Sequence, residues 1–391
     1  MNCCAVIIRI MKCSGIIAEY NPFHQGHEYH LQQSLSLSGS NHTVVIMSGN
    51  FVQRGDIAIF DKFYRAKQAL LHGADMVIEL PCAFAVSCAE RFAATAVNIL
   101  DKSGIIDSLS FGSESSNLEM LEKQADNSLF ESTDYTSKIK ESLKTGVSFA
   151  KAKSEALEFT PLPNDVLAIE YIKAIKRLNS SIKPVPIKRI GAMHDSPIAE
   201  KNSEFMSASA VRELILSGNM QPGSTPVSSN SQEFSSAMLY ALRTMSKAEI
   251  AALPDVSEGL ENAVYTACRQ ASSYAEFLSL VKSKRYTLAR LRRIAICALL
   301  RISDKLQNEA LAHPELYFYI RVLGVKKSSS FLLSELSKRS KLPVITGFSD
   351  TKSLSPQAKE LLSLDLLSSD IYNLFLKKSA DSDYTRHLIF V

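Results

Sequence analysis

The stretch Gly15–His27 reads GIIAEYNPFHQGH. Its apolar run Ile16–Ile17–Ala18 predicts a buried parallel strand, which breaks at Asn21–Pro22, where proline forces an extended turn. His24–Gln25–Gly26–His27 then opens a helix that continues through Leu31 and Leu35. A strand–turn–helix unit sets the first helical turn over the sheet edge. Its free backbone N–H groups and the helix dipole favour an anion there. Two imidazoles spaced H-x-G-H fall on adjacent turns facing that anion, and Gly26 lets a flat ring approach the backbone. The stretch therefore reads as a site for a nucleotide α-phosphate, with His24 and His27 as the catalytic pair. They donate to phosphate oxygens as negative charge builds in the transition state. H-x-G-H alone is short and common; the strand before it and the amphipathic helix after it supply its context.

Outward from this unit, strand-like and helix-like patterns alternate to about Ile215. Strands are expected at Ser14–Glu19, Thr43–Ser48, Asp75–Leu80, Ser108–Phe111 and Pro184–Ile190. Helices are expected at His24–Leu37, Asp61–His72, Ala89–Asp101, Tyr135–Lys144, Asp165–Arg177 and Ala208–Ser217. Such alternation implies a parallel sheet covered on both faces, with ligands at the carboxyl ends of its strands. The Ser-, Gly-, Pro- and Asn-rich segment SGNMQPGSTPVSSNSQE, Ser217–Glu233, reads as an exposed linker and domain boundary. The expected organisation is a catalytic domain over 11–217, a linker over 218–232 and a mainly helical domain over 233–391.

Several further constellations sit at expected strand ends or helix starts. MSGNFVQRGD, Met47–Asp56, follows the second strand and suits a substrate loop. In Phe111–Gly112–Ser113–Glu114, Gly112 permits close approach of a ligand, such as adenine or ribose, or simply makes a turn. In Leu162–Pro163–Asn164–Asp165, Asn164 is placed to cap a helix, a position from which it can also touch a ligand. Lys188–Arg189 closes the last strand. Ser207, Ser209 and Arg212 lie at the start of the next helix and make a second phosphate cradle. It would hold the β- and γ-phosphates while the histidines hold the α-phosphate; Ser207 is also a candidate N-cap.

The chain has 391 residues, long enough for two domains, and is 46% apolar and 21% charged. No apolar run approaches the roughly 20 residues that span a bilayer. The opening MNCCAVIIRIM lacks a signal-peptide cleavage site; with the first strand beginning near Lys12, residues 1–10 read as an extension, or Met11 as the start. Seven cysteines without a C-x-x-C spacing argue against zinc and a disulfide framework, and for buried thiols in a reducing cytoplasm. Net charge is only +4. Yet residues 282–341 hold 14 Lys and Arg against four Asp and Glu, so this stretch carries +10 and the remainder −6. That asymmetry suggests a polyanionic partner. Leu288, Leu291, Ala295, Ala298 and Ile302 form the apolar face of one helix there, with Arg290, Arg293 and Arg301 opposite. With Lys282, Lys284 and Arg285 they make either a solvated face or a nucleic-acid contact.

H-x-G-H after the first strand, joined to a Ser-rich, arginine-ended segment before a late helix, resembles the motif pair of the HIGH-type nucleotidyltransferase superfamily. More specifically, GIIAEYNPFHQGH, the block from Met47 to Pro81, FGSE, LPNDVLAIEY, IKRI, SASAVR, SKRYTLARLRRI and YIRVLGVKK look like the bacterial tRNA(Met) cytidine acetate ligase family, from about Met11 onward. The resemblance implies an α/β fold: a Rossmann-like HIGH-superfamily nucleotidyltransferase domain with a C-terminal mainly helical domain. It implies activation of acetate by ATP to acetyl-adenylate with loss of pyrophosphate. The acetyl group then passes to the wobble cytidine of elongator tRNA(Met), giving N4-acetylcytidine in the cytoplasm. The implied ATP contacts are Ile17, Ala18, Glu19, Tyr20, Asn21, Pro22, Phe23, His24, Gln25, Gly26, His27 and His30, with Gly112, Asn164 and Arg189; Ser207, Ser209 and Arg212 join them from the second cradle. Lys282, Lys284, Arg285, Arg290 and Arg293 are the candidate RNA contacts. Asp165 stands where the family often has a second Asn. No metal ligands are legible, and the sequence leaves open a Mg²⁺ requirement, the acetate contacts and the oligomeric state. The alternative reading is an adenylyltransferase of a small-molecule cofactor pathway, against which the basic second half argues.

Overall fold

The computed structural model describes residues 11–129, 133–147, 151–152, 155, 162–190, 205–257 and 259–391. Residues 1–10 lie outside this set, as do Cys3 and Cys4. In chain order the elements that frame the site are β1 (Cys13–Ala18), α1 (Gln25–Ser38), β2 (His42–Ser48), α2 (Lys62–Leu71), β3 (Met76–Leu80), α3 (Ala89–Lys102) and β4 (Ser108–Ser113). They continue with α4 (Pro163–Arg177), β5 (Lys183–Lys188), α5 (Ala208–Leu216), α6 (Leu288–Leu300), β6 (Ile320–Val325), α7 (Pro356–Phe375) and β7 (Ile389–Phe390). The expected strands and helices of the first half are all present, each within a few residues of its expected bounds.

The sheet order is β7-β6-β3-β2-β1-β4-β5. From β3 to β5 every pairing is parallel. Successive strand residues bury on opposite faces: Val44 and Ile46 join one core cluster, Val45 and Met47 the other. A strand covered on both sides must be apolar throughout, which is why β2 reads as a continuous run. The chain leaves β1 toward β2 on one side and β4 on the other. The order therefore reverses between β1 and β4, where a crevice opens above the carboxyl ends of the strands.

The second half differs from the expected separate helical domain. It does contribute helices, α6 and α7 among them, but β6 pairs antiparallel with β3, and β7 pairs parallel with β6. The boundary at 217–233 therefore does not divide the sheet. β6 is a β-branched run, Ile320, Val322 and Val325, buried along its whole length, and its length and composition are the signal that marks such a strand. Nor is the Ser-rich segment wholly exposed: Val227 is buried and donates its N–H to the Ile59 carbonyl at 2.8 Å.

Buried charges lock the two halves together. Lys62 Nζ lies 2.7 Å from Glu79 and 2.6 Å from Asp383, and Arg321 Nη1 lies 3.0 Å from each of the same carboxylates. The four residues come from α2, β3, β6 and the C-terminal segment. Two cations and two anions in contact offset part of the desolvation each would suffer alone. Of the five described cysteines, Cys13, Cys82, Cys268 and Cys297 are buried, Cys88 is half-buried, and all five are free thiols.

Candidate active site

A cavity of about 380 Å³ fills the crevice between β1 and β4. Its floor is the end of β1, Ile17 to Asn21, and its first wall is the start of α1. The turn between them is braced from below. Arg65, fully buried on α2, donates to the carbonyls of Glu19 at 2.6 Å, Phe60 at 2.9 Å and Ser48 at 3.1 Å, and to that of Gly49. Asn21 Oδ1 accepts the Ile59 N–H at 2.8 Å. One guanidinium thus fixes the ends of β1 and β2 relative to each other.

His24 is the N-cap of α1: its Nδ1 accepts the Gly26 N–H at 3.1 Å, and His27 Nδ1 accepts the His24 N–H at 3.3 Å. The two histidines form a reciprocal capping box, with their rings stacked at 3.8 Å between centroids. A ring nitrogen that accepts holds no proton, so each neutral ring carries its hydrogen on Nε2. Both are held neutral. Burial, reinforced by Arg189 and Arg212, lowers His24 to about 4. Burial, with His24, His30 and Arg189, pushes His27 well below its ordinary value. A neutral Nε2–H donor suits an oxyanion without competing for its proton. Gly26 serves differently from the expectation: a Cβ there would sit 2.9 Å from His24 Cε1. The flat ring that approaches is His24's own. His30 also lines the cavity, and its buried Nε2 has no partner among the described residues; burial lowers it to about 4.

The opposite walls bring in residues distant in sequence. Gly112 and Asn164 both face the cavity. Asn164, however, is not the helix cap: α4 begins at Pro163, and Glu114 from the end of β4 accepts the Asp165 N–H at 3.0 Å and the Asn164 amide at 2.5 Å. Proline at the first helical position, which lacks an N–H, moved the start upstream. Gly112 has the Arg189 stem above it, 3.5 Å from where a Cβ would stand. Ser207 caps α5 by accepting the Ala210 N–H at 3.1 Å. Arg212 reaches from α5 to the Asn21 carbonyl at 2.5 Å and to Ser209 Oγ at 3.0 Å, tying the second cradle to the first. Pro22, Phe23 and Gln25 do not line the cavity; Gln25 is exposed.

The candidate RNA contacts divide. Lys282, Lys284 and Arg285 are exposed. Arg293 is not on a free face: it pairs with Asp255 at 2.9 Å with only 12% of its side chain exposed. Arg290 donates to the Asp255 carbonyl at 2.7 Å and to Ser257 at 2.8 Å. The reason lies in the loop after β2. Gly55, at φ +74°, presses on the α6 backbone so closely that a Cβ would lie 2.5 Å from the Arg293 nitrogen. That contact seats α6 against the catalytic half and carries Arg292, which sequence reading passed over, into the cavity wall. Five cations, Arg54, Lys188, Arg189, Arg212 and Arg292, then face two carboxylates, Glu19 and Asp56. The excess positive charge suits a triphosphate.

A parallel sheet with a helix start and an excess of cations above its switch point is the arrangement of Rossmann-like nucleotide-binding enzymes. The sequence matches the HIGH Nucleotidyl Transferase family over residues 11–387, and the chain belongs to that family. It is 41% identical to the tRNA(Met) cytidine acetate ligase of Thermoanaerobacter sp. (strain X514), over 97% of this chain and 100% of that protein. It is 40% identical to the enzyme of that name from Caldanaerobacter subterraneus subsp. tengcongensis, over 95% and 97%. Among solved structures it resembles Thermotoga maritima TmcAL in its apo form, with TM-score 0.90 and 31% identity, and the same protein bound with alpha-thio ATP, with TM-score 0.87; each covers 97% of this chain and 100% of that chain.

Proposed function

We propose that this protein is an ATP-dependent tRNA(Met) cytidine acetate ligase acting in the cytoplasm. It activates acetate to acetyl-adenylate, releasing pyrophosphate, and passes the acetyl group to N4 of the wobble cytidine of elongator tRNA(Met). The observation that carries this reading is the stacked pair of neutral histidines at the α1 start, inside a full-length match to ligases of that name. Acetate is a poor electrophile and must be activated; a mixed anhydride with AMP makes its carbonyl reactive. In the first step an acetate oxygen attacks the α-phosphorus and the bond to pyrophosphate breaks. His24 and His27 donate from Nε2 to the α-phosphate oxygens as charge builds. Ser209 and Arg212, with Arg292 across the cavity, hold the leaving pyrophosphate.

In the second step the cytidine amine attacks the acetyl carbon and AMP leaves. The exposed Lys282, Lys284 and Arg285 contact tRNA phosphates, while Arg290 and Arg293 support them by fixing the start of α6. The test is to mix the protein with ATP, labelled acetate and unmodified tRNA and to digest the tRNA to nucleosides. Label in N4-acetylcytidine that depends on both ATP and acetate is expected. A dinucleotide product formed without acetate consumption would point instead to a small-molecule adenylyltransferase.

A further inference from the structure

Glu19 is an anomaly in a cavity that takes a triphosphate. It follows β1 directly, five residues before His24, and it lines the cavity floor. One oxygen, Oε1, accepts the Gln53 N–H at 2.9 Å. Two cations that feel its charge, Arg65 and Arg212, donate elsewhere. Arg65 donates to four carbonyls, and Arg212 donates to the Asn21 carbonyl and Ser209. Among the described residues, Glu19 has no ion pair. The same cavity is lined by the buried ring of Tyr171, which packs on Phe111. The other carboxylate, Asp56, lies toward Arg212, Arg292 and Tyr274 and accepts from its own neighbour, Ile57 N, at 2.8 Å. Glu19 is thus a carboxylate with spare acceptor capacity in a cavity that aromatic rings also line.

An anion repels phosphate, so its complement is the group that arrives after ATP. A carboxylate is the side chain that accepts from the cytosine N4 amine. We infer that Glu19 is the base of the transfer step: it accepts a hydrogen bond from the exocyclic amine of the target cytosine and takes its proton. This rests on the functional reading above. The N4 lone pair attacks the acetyl carbonyl carbon and the C–N bond forms. One N4 proton passes to the Glu19 carboxylate, the bond from acetyl carbon to phosphate oxygen breaks, and AMP leaves as the anion. The proton then returns from Glu19 to solvent. Without a base, attack by so weakly basic an amine would leave a cationic nitrogen that expels itself sooner than AMP.

The test supplies pre-formed acetyl-adenylate and unmodified tRNA, so the activation step is bypassed. Glu19→Gln keeps an oxygen for the Gln53 N–H and is expected to slow transfer on the order of 10²–10⁴-fold. Glu19→Asp is expected to recover part of that rate, which a merely structural defect would not allow. In Glu19→Ala, added formate should restore transfer by entering the vacated space. Transfer by Glu19→Gln at the parent rate, or no response of Glu19→Ala to formate, overturns the assignment. A parent protein that makes no acetylcytidine from acetyl-adenylate overturns the functional reading itself, and this proposal with it, before any variant is measured.

Discussion

The wall of the cavity formed by α1 and the wall formed by α6 were built by different kinds of information. Everything α1 needs lies within residues 15–30: a buried strand, a turn, a histidine cap and a glycine that lets the cap fold back. The α6 wall depends on Gly55, some 240 residues upstream in chain order, pressing on the backbone at Arg293. Local chemistry is readable along the chain. A contact between distant segments leaves no periodic trace, so nothing in the local pattern marks Arg292 as a cavity residue.

If the second half is integral, breaking its buried clasp should cost the most. Asp383→Ala leaves Lys62 and Arg321 facing Glu79 alone, and is expected to lower unfolding stability by about 3–5 kcal/mol in urea titration. A loss under about 1 kcal/mol would mean that the C-terminal segment is only loosely attached. Next comes the histidine pair. His24→Asn retains a capping side chain but removes the Nε2–H donor. It should slow acetyl-adenylate formation on the order of 10²–10³-fold while the melting temperature stays close to the parent's.

Arg293→Ala sharpens the contrast between the exposed and the committed arginines. It removes the partner of a mostly buried Asp255 carboxylate, and roughly 1–3 kcal/mol of stability should go with it. Lys282→Ala, Lys284→Ala and Arg285→Ala together should leave stability within about 0.5 kcal/mol. Their effect should appear in tRNA binding, as a salt slope shallower by roughly 0.7–0.9 for each phosphate that is no longer neutralised. Equal effects of the two sets on stability would erase the distinction.

Acid should act through the α1 wall. His24 and His30 sit at about 4 when folded, and His27 well below its ordinary value, against 6.5 for a free imidazole. Between these values the unfolded chain binds more protons than the folded one. Stability is therefore fully present above pH 6.5 and is lost as pH falls from 6.5 toward 4. His27→Asn removes one of these groups and should flatten the fall in melting temperature between about pH 7 and 5. A steeper fall in the variant would contradict the neutral assignment.

Sequence pattern located the strands of the first half, the switch-point crevice and the two helix starts that line it, because each depends on a period or on turn chemistry within a few residues. It misplaced the cap of α4, since the capping group is Glu114, just past the end of β4 and far off in sequence. It read Pro22, Phe23 and Gln25 with their neighbours, although none of the three lines the cavity. It passed over β6 because one antiparallel strand returning to a parallel sheet breaks no local rule, and Asp383 because a lone carboxylate near a chain end carries no sign of burial.

The most direct test of the central claim, that neutral histidines at the α1 start activate acetate on ATP, is exchange of labelled pyrophosphate into ATP without tRNA. The parent should exchange only when acetate is present, and His24→Asn should exchange on the order of 10²–10³-fold more slowly. Exchange that ignores acetate, or that proceeds in His24→Asn at the parent rate, would contradict it.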